Sequence, residues 1–123
     1  MPHIIVEHSS DISEKNIVDF LPKIQQEMEK IQGGNFSLEA CKARTLSFKN
    51  YFVGAKNQEK SAFFHITIKI LAGRSLEIKQ ELAQKIAKIT GDFLKLQNIT
   101  KDRTDLSVDI VDMEKETYQK ITF

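Results

Sequence analysis

Residues 3–8 read HIIVEH, and residues 65–70 read HITIKI. The second segment lies 62 positions after the first, about half the length of this 123-residue chain. At that offset His3 aligns with His65, Ile4 with Ile66, Val6 with Ile68 and Ser13 with Ser75. Both segments alternate β-branched residues with others, as a pleated, half-buried strand requires. Each is followed by apolar residues spaced three and four apart, the signature of one buried helical face. In the first half these are Ile17, Phe20, Leu21, Ile24, Met28 and Ile31; in the second they are Ile78, Leu82, Ile86, Ile89, Phe93 and Leu96. Two copies are too few for a solenoid and specify a duplicated supersecondary unit.

Local signals mark the boundaries. Ser13 and Ser75 stand where a helix N-cap is wanted. Pro22 falls inside the first helical pattern and should kink that helix or delay its start. Gly33 and Gly34 close it. A second strand is expected over about residues 38–52, a polar hairpin-type loop over 54–60, a third strand over 62–70 and a last strand through Leu106, Val108 and Ile110. A helix between two strands implies a parallel pair with a right-handed crossover. The expected fold class is α+β: two tandem β-α-β units form a four-stranded mixed sheet with both helices on one face. The chain 1–123 is then a single domain with pseudo-repeat halves at about 2–53 and 62–112. The helix-free face holds apolar side chains and needs cover, so a closed homo-oligomer is expected. The tail, 113–123, offers Tyr118, Ile121 and Phe123 for docking on a neighbour.

Composition narrows the function. Eighteen Lys+Arg against seventeen Asp+Glu give a formal net charge of +1, so there is no global basic field and no nucleic-acid partner is expected. The single cysteine, Cys41, has no intrachain disulfide partner and reads as a small buried residue. The first residues lack the basic and apolar regions of a signal peptide, and no apolar run is long enough to span a membrane. A cytoplasmic, membrane-free protein is expected. No P-loop, dinucleotide fingerprint or CxxC is present, and His3, His8 and His65 do not have metal-ligand spacing.

Four residues carry candidate chemistry. Pro2 would become a secondary amine if Met1 were removed. An unperturbed α-amino group titrates near ~8, and burial beside cations would lower that value and make a base for neutral pH. Arg74 sits in A-G-R-S-L-E, where a strand meets a helix. It either pairs with a surface carboxylate or clamps a substrate carboxylate through its planar fork of donors, with the helix N-terminus assisting. Lys42 and Arg44, one residue apart, share a strand face. They read equally as surface charge or as a second anion contact.

The stretches Pro2 to Glu7 (PHIIVE) and Phe64 to Glu77 (FHITIKILAGRSLE) resemble the 5-carboxymethyl-2-hydroxymuconate isomerase family of the tautomerase superfamily. The resemblance can be followed across almost the whole chain. It implies duplicated β-α-β units, a homotrimer, and catalysis without metal or organic cofactor. It implies an N-terminal proline, here Pro2, acting as general base and acid, with Arg74, Lys42 and Arg44 holding a small carboxylate substrate. The implied reaction converts an unsaturated 2-hydroxy (dienol) acid to its conjugated keto isomer, in aromatic-compound catabolism. Where the family has arginine, a small residue and arginine, this chain has Lys42, Ala43 and Arg44. A lysine gives a point charge in place of a fork. Residues 50–60 also differ from the family's aromatic-containing stretch. The alternatives are another proline-based tautomerase, hydratase or decarboxylase of small acids, or a non-catalytic trimeric interaction protein of the same fold.

Overall fold

The computed structural model describes residues 1–123. Strand β1 (His3–Ser9) leads to helix α1 (Glu14–Glu29) and strand β2 (Lys42–Phe48). A small hairpin of β3 (Phe52–Val53) and β4 (Lys56–Asn57) follows. Strand β5 (Ser61–Leu71), helix α2 (Leu76–Lys95) and strand β6 (Arg103–Met113) complete the chain. The main sheet has the order β2-β1-β5-β6. β1 pairs parallel with β2, β5 pairs parallel with β6, and the central pair β1–β5 is antiparallel. This is the two-helix, mixed four-stranded α+β sheet that the repeat predicts.

The register gives the repeat a geometric meaning. His3 lies opposite Lys69, and Glu7 lies opposite His65. Shifting by the repeat offset exchanges these two pairs, so equivalent positions are related by an approximate two-fold axis through the Ile5–Thr67 pair. Ser13 and Ser75 perform the same task in each half: their hydroxyls accept the N–H of Asn16 and of Ile78, both at 3.2 Å.

The core lies between the sheet and the helices. Alternate residues Ile4 and Val6 of β1 and Phe64, Ile66, Ile68 and Ile70 of β5 are fully buried. They pack with Ile17, Ile24 and Met28 of α1 and Leu82 and Ile86 of α2 in one sixteen-residue cluster. Phe20 of α1 stacks on Phe93 of α2, with centroids 4.3 Å apart and planes 14° from parallel. Each such side chain contributes about 1.5–3 kcal/mol by leaving water. The opposite face of the sheet holds apolar side chains, as expected, but they are interleaved with charge. Ile5, Leu46 and Val111 share it with His3, Glu7, Lys42, Arg44, His65 and Lys69 by strand register.

Several boundaries differ from the sequence reading. α1 starts at Glu14, so Pro22 does not delay it, and the helix continues through Pro22 to Glu29. The bond that Pro22 cannot make would end on the carbonyl of Val18, a half-exposed position on the solvent side where water can take its place. α1 also ends at Glu29, ahead of the glycines, and residues 31–34 form a turn. The second strand is shorter than expected. Leu38–Ala40 form a 3-10 turn, and Phe52 and Val53 belong to the separate hairpin. Leu96 caps α2 and is 79% exposed, so the apolar stripe stops one position before it.

Candidate active site

The topology brings four chain segments to one end of the sheet. Because β1 and β2 are parallel and β5 runs against them, the starts of β1 and β2 meet the ends of β5 and β6. Pro2 is buried at this end. Its carbonyl accepts the backbone N–H of Lys42 at 3.0 Å, which fixes β2 beside it. Lys42 lies opposite His3 on one side, Lys69 lies opposite His3 on the other, and Arg44 lies opposite Ile5. The N–H of Ala72 donates to the carbonyl of Met113 at 2.9 Å, anchoring the turn from β5 into α2 and the start of the tail.

Arg74 is held more firmly than a free clamp would be. Its Nε donates to the Gly34 carbonyl at 2.9 Å, its Nη1 to Leu71 at 3.1 Å and its Nη2 to Asn35 at 3.3 Å. Its guanidinium carbon lies 4.8 Å from the centroid of the Phe36 ring, a cation–π contact. A guanidinium has five N–H donors, so two remain free for an anion. The arginine therefore ties the α1–β2 connection to the β5–α2 turn and offers a fork already fixed in orientation. Neither sequence alternative, surface pairing or free clamp, anticipates the three carbonyls.

Arg44 has a partner that the sequence reading did not assign. Its Nη1 lies 3.1 Å from His3 Nδ1, and His3 Nε2 lies 2.9 Å from the hydroxyl of Tyr118. Guanidinium can only donate, so His3 Nδ1 accepts and Nε2 carries the hydrogen. Nε2–H then donates to the Tyr118 oxygen, leaving the phenol's own proton available. The two rings meet edge to face with centroids 5.8 Å apart. Burial, then the neighbouring charges of Arg44, Lys42 and Lys69, holds the His3 pKa below its usual 6.5, which keeps the imidazole in the neutral form this chain requires. Tyr118 thus docks on its own chain, while Ile121 and Phe123 remain exposed.

The electrostatics at this end are one-sided. The α-amino group of Met1 is held below its usual 8.0 by burial first, then by the charges of Arg74, Lys42 and Lys120. Cys41, half-buried where a small buried residue was expected, acts the other way; burial pushes its own thiol pKa up. No carboxylate takes part in either balance. The chain's seven ion pairs use none of Lys42, Arg44, Lys69, Arg74, Lys115 or Lys120. A nearly neutral protein therefore concentrates unpaired positive charge around its N-terminus, an arrangement suited to anions. The sequence reading named Pro2, Lys42, Arg44 and Arg74, gave Tyr118 to a neighbouring copy, and missed Lys69, Lys115 and Lys120.

The fold is shared with known proteins. Residues 2–122 match the model of the family described as 5-carboxymethyl-2-hydroxymuconate isomerase. The chain belongs to that family. A solved 5-carboxymethyl-2-hydroxymuconate isomerase from Deinococcus radiodurans R1 is similar over 99% of this chain and 90% of its own, with a TM-score of 0.81 and 22% identity. A fused 4-OT wild-type symmetric trimer has a TM-score of 0.73 at 18% identity, covering 93% of this chain and 88% of that one. A macrophage migration inhibitory factor-like protein from Entamoeba histolytica has a TM-score of 0.68 at 16% identity, covering 98% and 95%. No curated protein matches the chain significantly by sequence. As a member of the 5-carboxymethyl-2-hydroxymuconate isomerase family, the chain carries the isomerase or tautomerase chemistry of its superfamily. None of its helices is long and apolar enough to cross a membrane.

Proposed function

We propose that the chain is a keto–enol isomerase of an unsaturated 2-hydroxy acid resembling 5-carboxymethyl-2-hydroxymuconate, with Pro2 as general base and acid once Met1 is removed. The observation that carries this reading is the place of Pro2, buried at the sheet end with its carbonyl bonded to the N–H of Lys42, next to a Met1 amine that burial and the charges of Arg74, Lys42 and Lys120 hold below its usual 8.0 without a carboxylate nearby. Removal of Met1 would put the Pro2 secondary amine in the same surroundings, where burial and the cations favour its free form beside an anion site. Pro2 nitrogen accepts the 2-hydroxyl proton as the C–O bond becomes a carbonyl. The double bonds shift along the chain, and the proline returns the same proton to a distal carbon. Atoms and electrons balance without any oxidant. Arg74, with its two unused N–H groups, and Lys42 hold substrate carboxylates and stabilise the anionic intermediate. Arg44, fixed by His3, is the third contact. One domain, 1–123, with halves at 2–53 and 62–112, assembles as a homotrimer. The symmetric trimer of the 4-OT relative supports that assembly.

Two results are expected. The acid limb of kcat/KM should fall below pH 8.0, because the burial and cations that lower the Met1 amine from that value would act on the Pro2 amine after processing and keep it free in more acidic solution. A pH–rate profile on processed protein checks this, and a limb at or above 8.0 would remove the basis for the reading. Against a panel of small enol acids, the dienol dicarboxylates should be preferred over a monocarboxylate such as enol-phenylpyruvate by about tenfold or more in kcat/KM, since each paired carboxylate adds a charge-assisted contact. Equal rates across the panel would favour a general small-acid tautomerase.

A further inference from the structure

The C-terminal tail returns to the end of the sheet that holds Arg74. There an open cavity of about 560 Å³ is lined by Gly33, Asn35, Gly73, Arg74, Ser75 and Lys115, among others, and by no Asp or Glu. Lys115 reaches this cavity across Gly73. A Cβ built on Gly73 would stand 3.1 Å from the Lys115 ammonium, and Gly73 adopts φ +126°, a conformation that side chains rarely allow. The glycine therefore gives the lysine its room. Lys115 belongs to none of the chain's ion pairs. Two cations facing one cavity repel unless an anion lies between them. Arg74 is common to both features: its charge acts on the Met1 amine, and the residue lines the cavity.

We propose that Lys115 is a substrate-binding residue, which together with Arg74 forms a carboxylate subsite at the mouth of the β5–α2 turn. The tail is then part of the binding site, and the substrate class is an acid with a carboxylate remote from the reacting hydroxyl. The proposal rests on the isomerase reading for the identity of the substrate, but not for the existence of the subsite. Lysine supplies a point charge that tolerates variation in carboxylate position, and the locked arginine supplies direction.

The test uses butane-1,2,4-tricarboxylate, an unreactive acid, titrated calorimetrically at low salt into the full chain. Lys115→Gln should weaken its Kd by about tenfold, as expected for loss of one charge-assisted contact. Lys115→Arg should restore binding. Lys49→Gln, which removes one positive charge beyond the far end of β2, should leave it unchanged. In turnover of the dienol acid, Lys115→Gln should raise KM by a similar factor and leave kcat near the wild-type value, because the contact is present in both ground and transition states. Equal Kd for wild type and Lys115→Gln, equal weakening by Lys49→Gln, or failure of the wild type to bind the probe would each overturn the subsite. Weakened probe binding in a chain that turns over no dienol acid would keep the subsite and sink the isomerase reading. Normal turnover with unchanged Kd would do the reverse.

Discussion

Pro2→Ala is expected to lower kcat/KM for the dienol acid by about 10²–10⁴-fold, the usual contribution of a positioned general base. The variant keeps an N-terminal amine, so the loss measures position and basicity, not the mere presence of nitrogen. Proline fixes its nitrogen within a ring, whereas alanine's amine is free to rotate. The fold should be unaffected. Pro2 contributes its carbonyl to the N–H of Lys42, and alanine retains that group. Thermal unfolding and steady-state rates on the same preparation separate the two effects. Activity within about threefold of wild type, a difference under 1 kcal/mol, would place the base elsewhere.

Arg74→Ala should damage both activity and stability, and this distinguishes it from Pro2→Ala. Loss of the fixed fork is expected to reduce kcat/KM by about 10²–10³-fold, comparable to removing a donor from an anionic intermediate. The same change frees the carbonyls of Gly34, Asn35 and Leu71 and leaves the Phe36 ring uncovered. Loss of these bonds should reduce unfolding free energy by about 1–3 kcal/mol, since the loop carbonyls can regain water. Arg74→Lys should recover little of either, because one ammonium cannot reach three carbonyls and still present a fork. Urea unfolding with kcat/KM measurements checks the pair. A variant with full stability and reduced activity would mean that the carbonyl contacts contribute nothing. Reduced stability with full activity would remove Arg74 from the site.

The fold was legible because its information is local and repeated. Ser13 and Ser75 cap helices by the same bond, and the period-two pattern of Ile66, Ile68 and Ile70 sends every one of them to the buried face. Pro22 did not delay the start of α1, because an exposed carbonyl can lose its helical partner to water. The placement of some candidate residues was equally legible. Pro2 stands at a chain end, Arg74 at a strand-to-helix turn, and Lys42 and Arg44 share a face through simple alternation. What was hidden depends on the path of the tail. Tyr118 and His3 are 115 positions apart and yet bonded, and no periodicity predicts where an irregular segment will lie. The reach of Lys115 over Gly73 is hidden for the same reason, although the glycine itself was a signal that something passes close to the backbone.

The most direct test of the central claim is intact mass measured on native protein, followed by dienol ketonisation on the same sample. The predicted result is a chain lighter by one methionine residue that turns over the dienol acid. Turnover by a chain that retains Met1 would contradict the account, because its Pro2 nitrogen is an amide without basicity. A processed chain inactive on every dienol acid would contradict it equally.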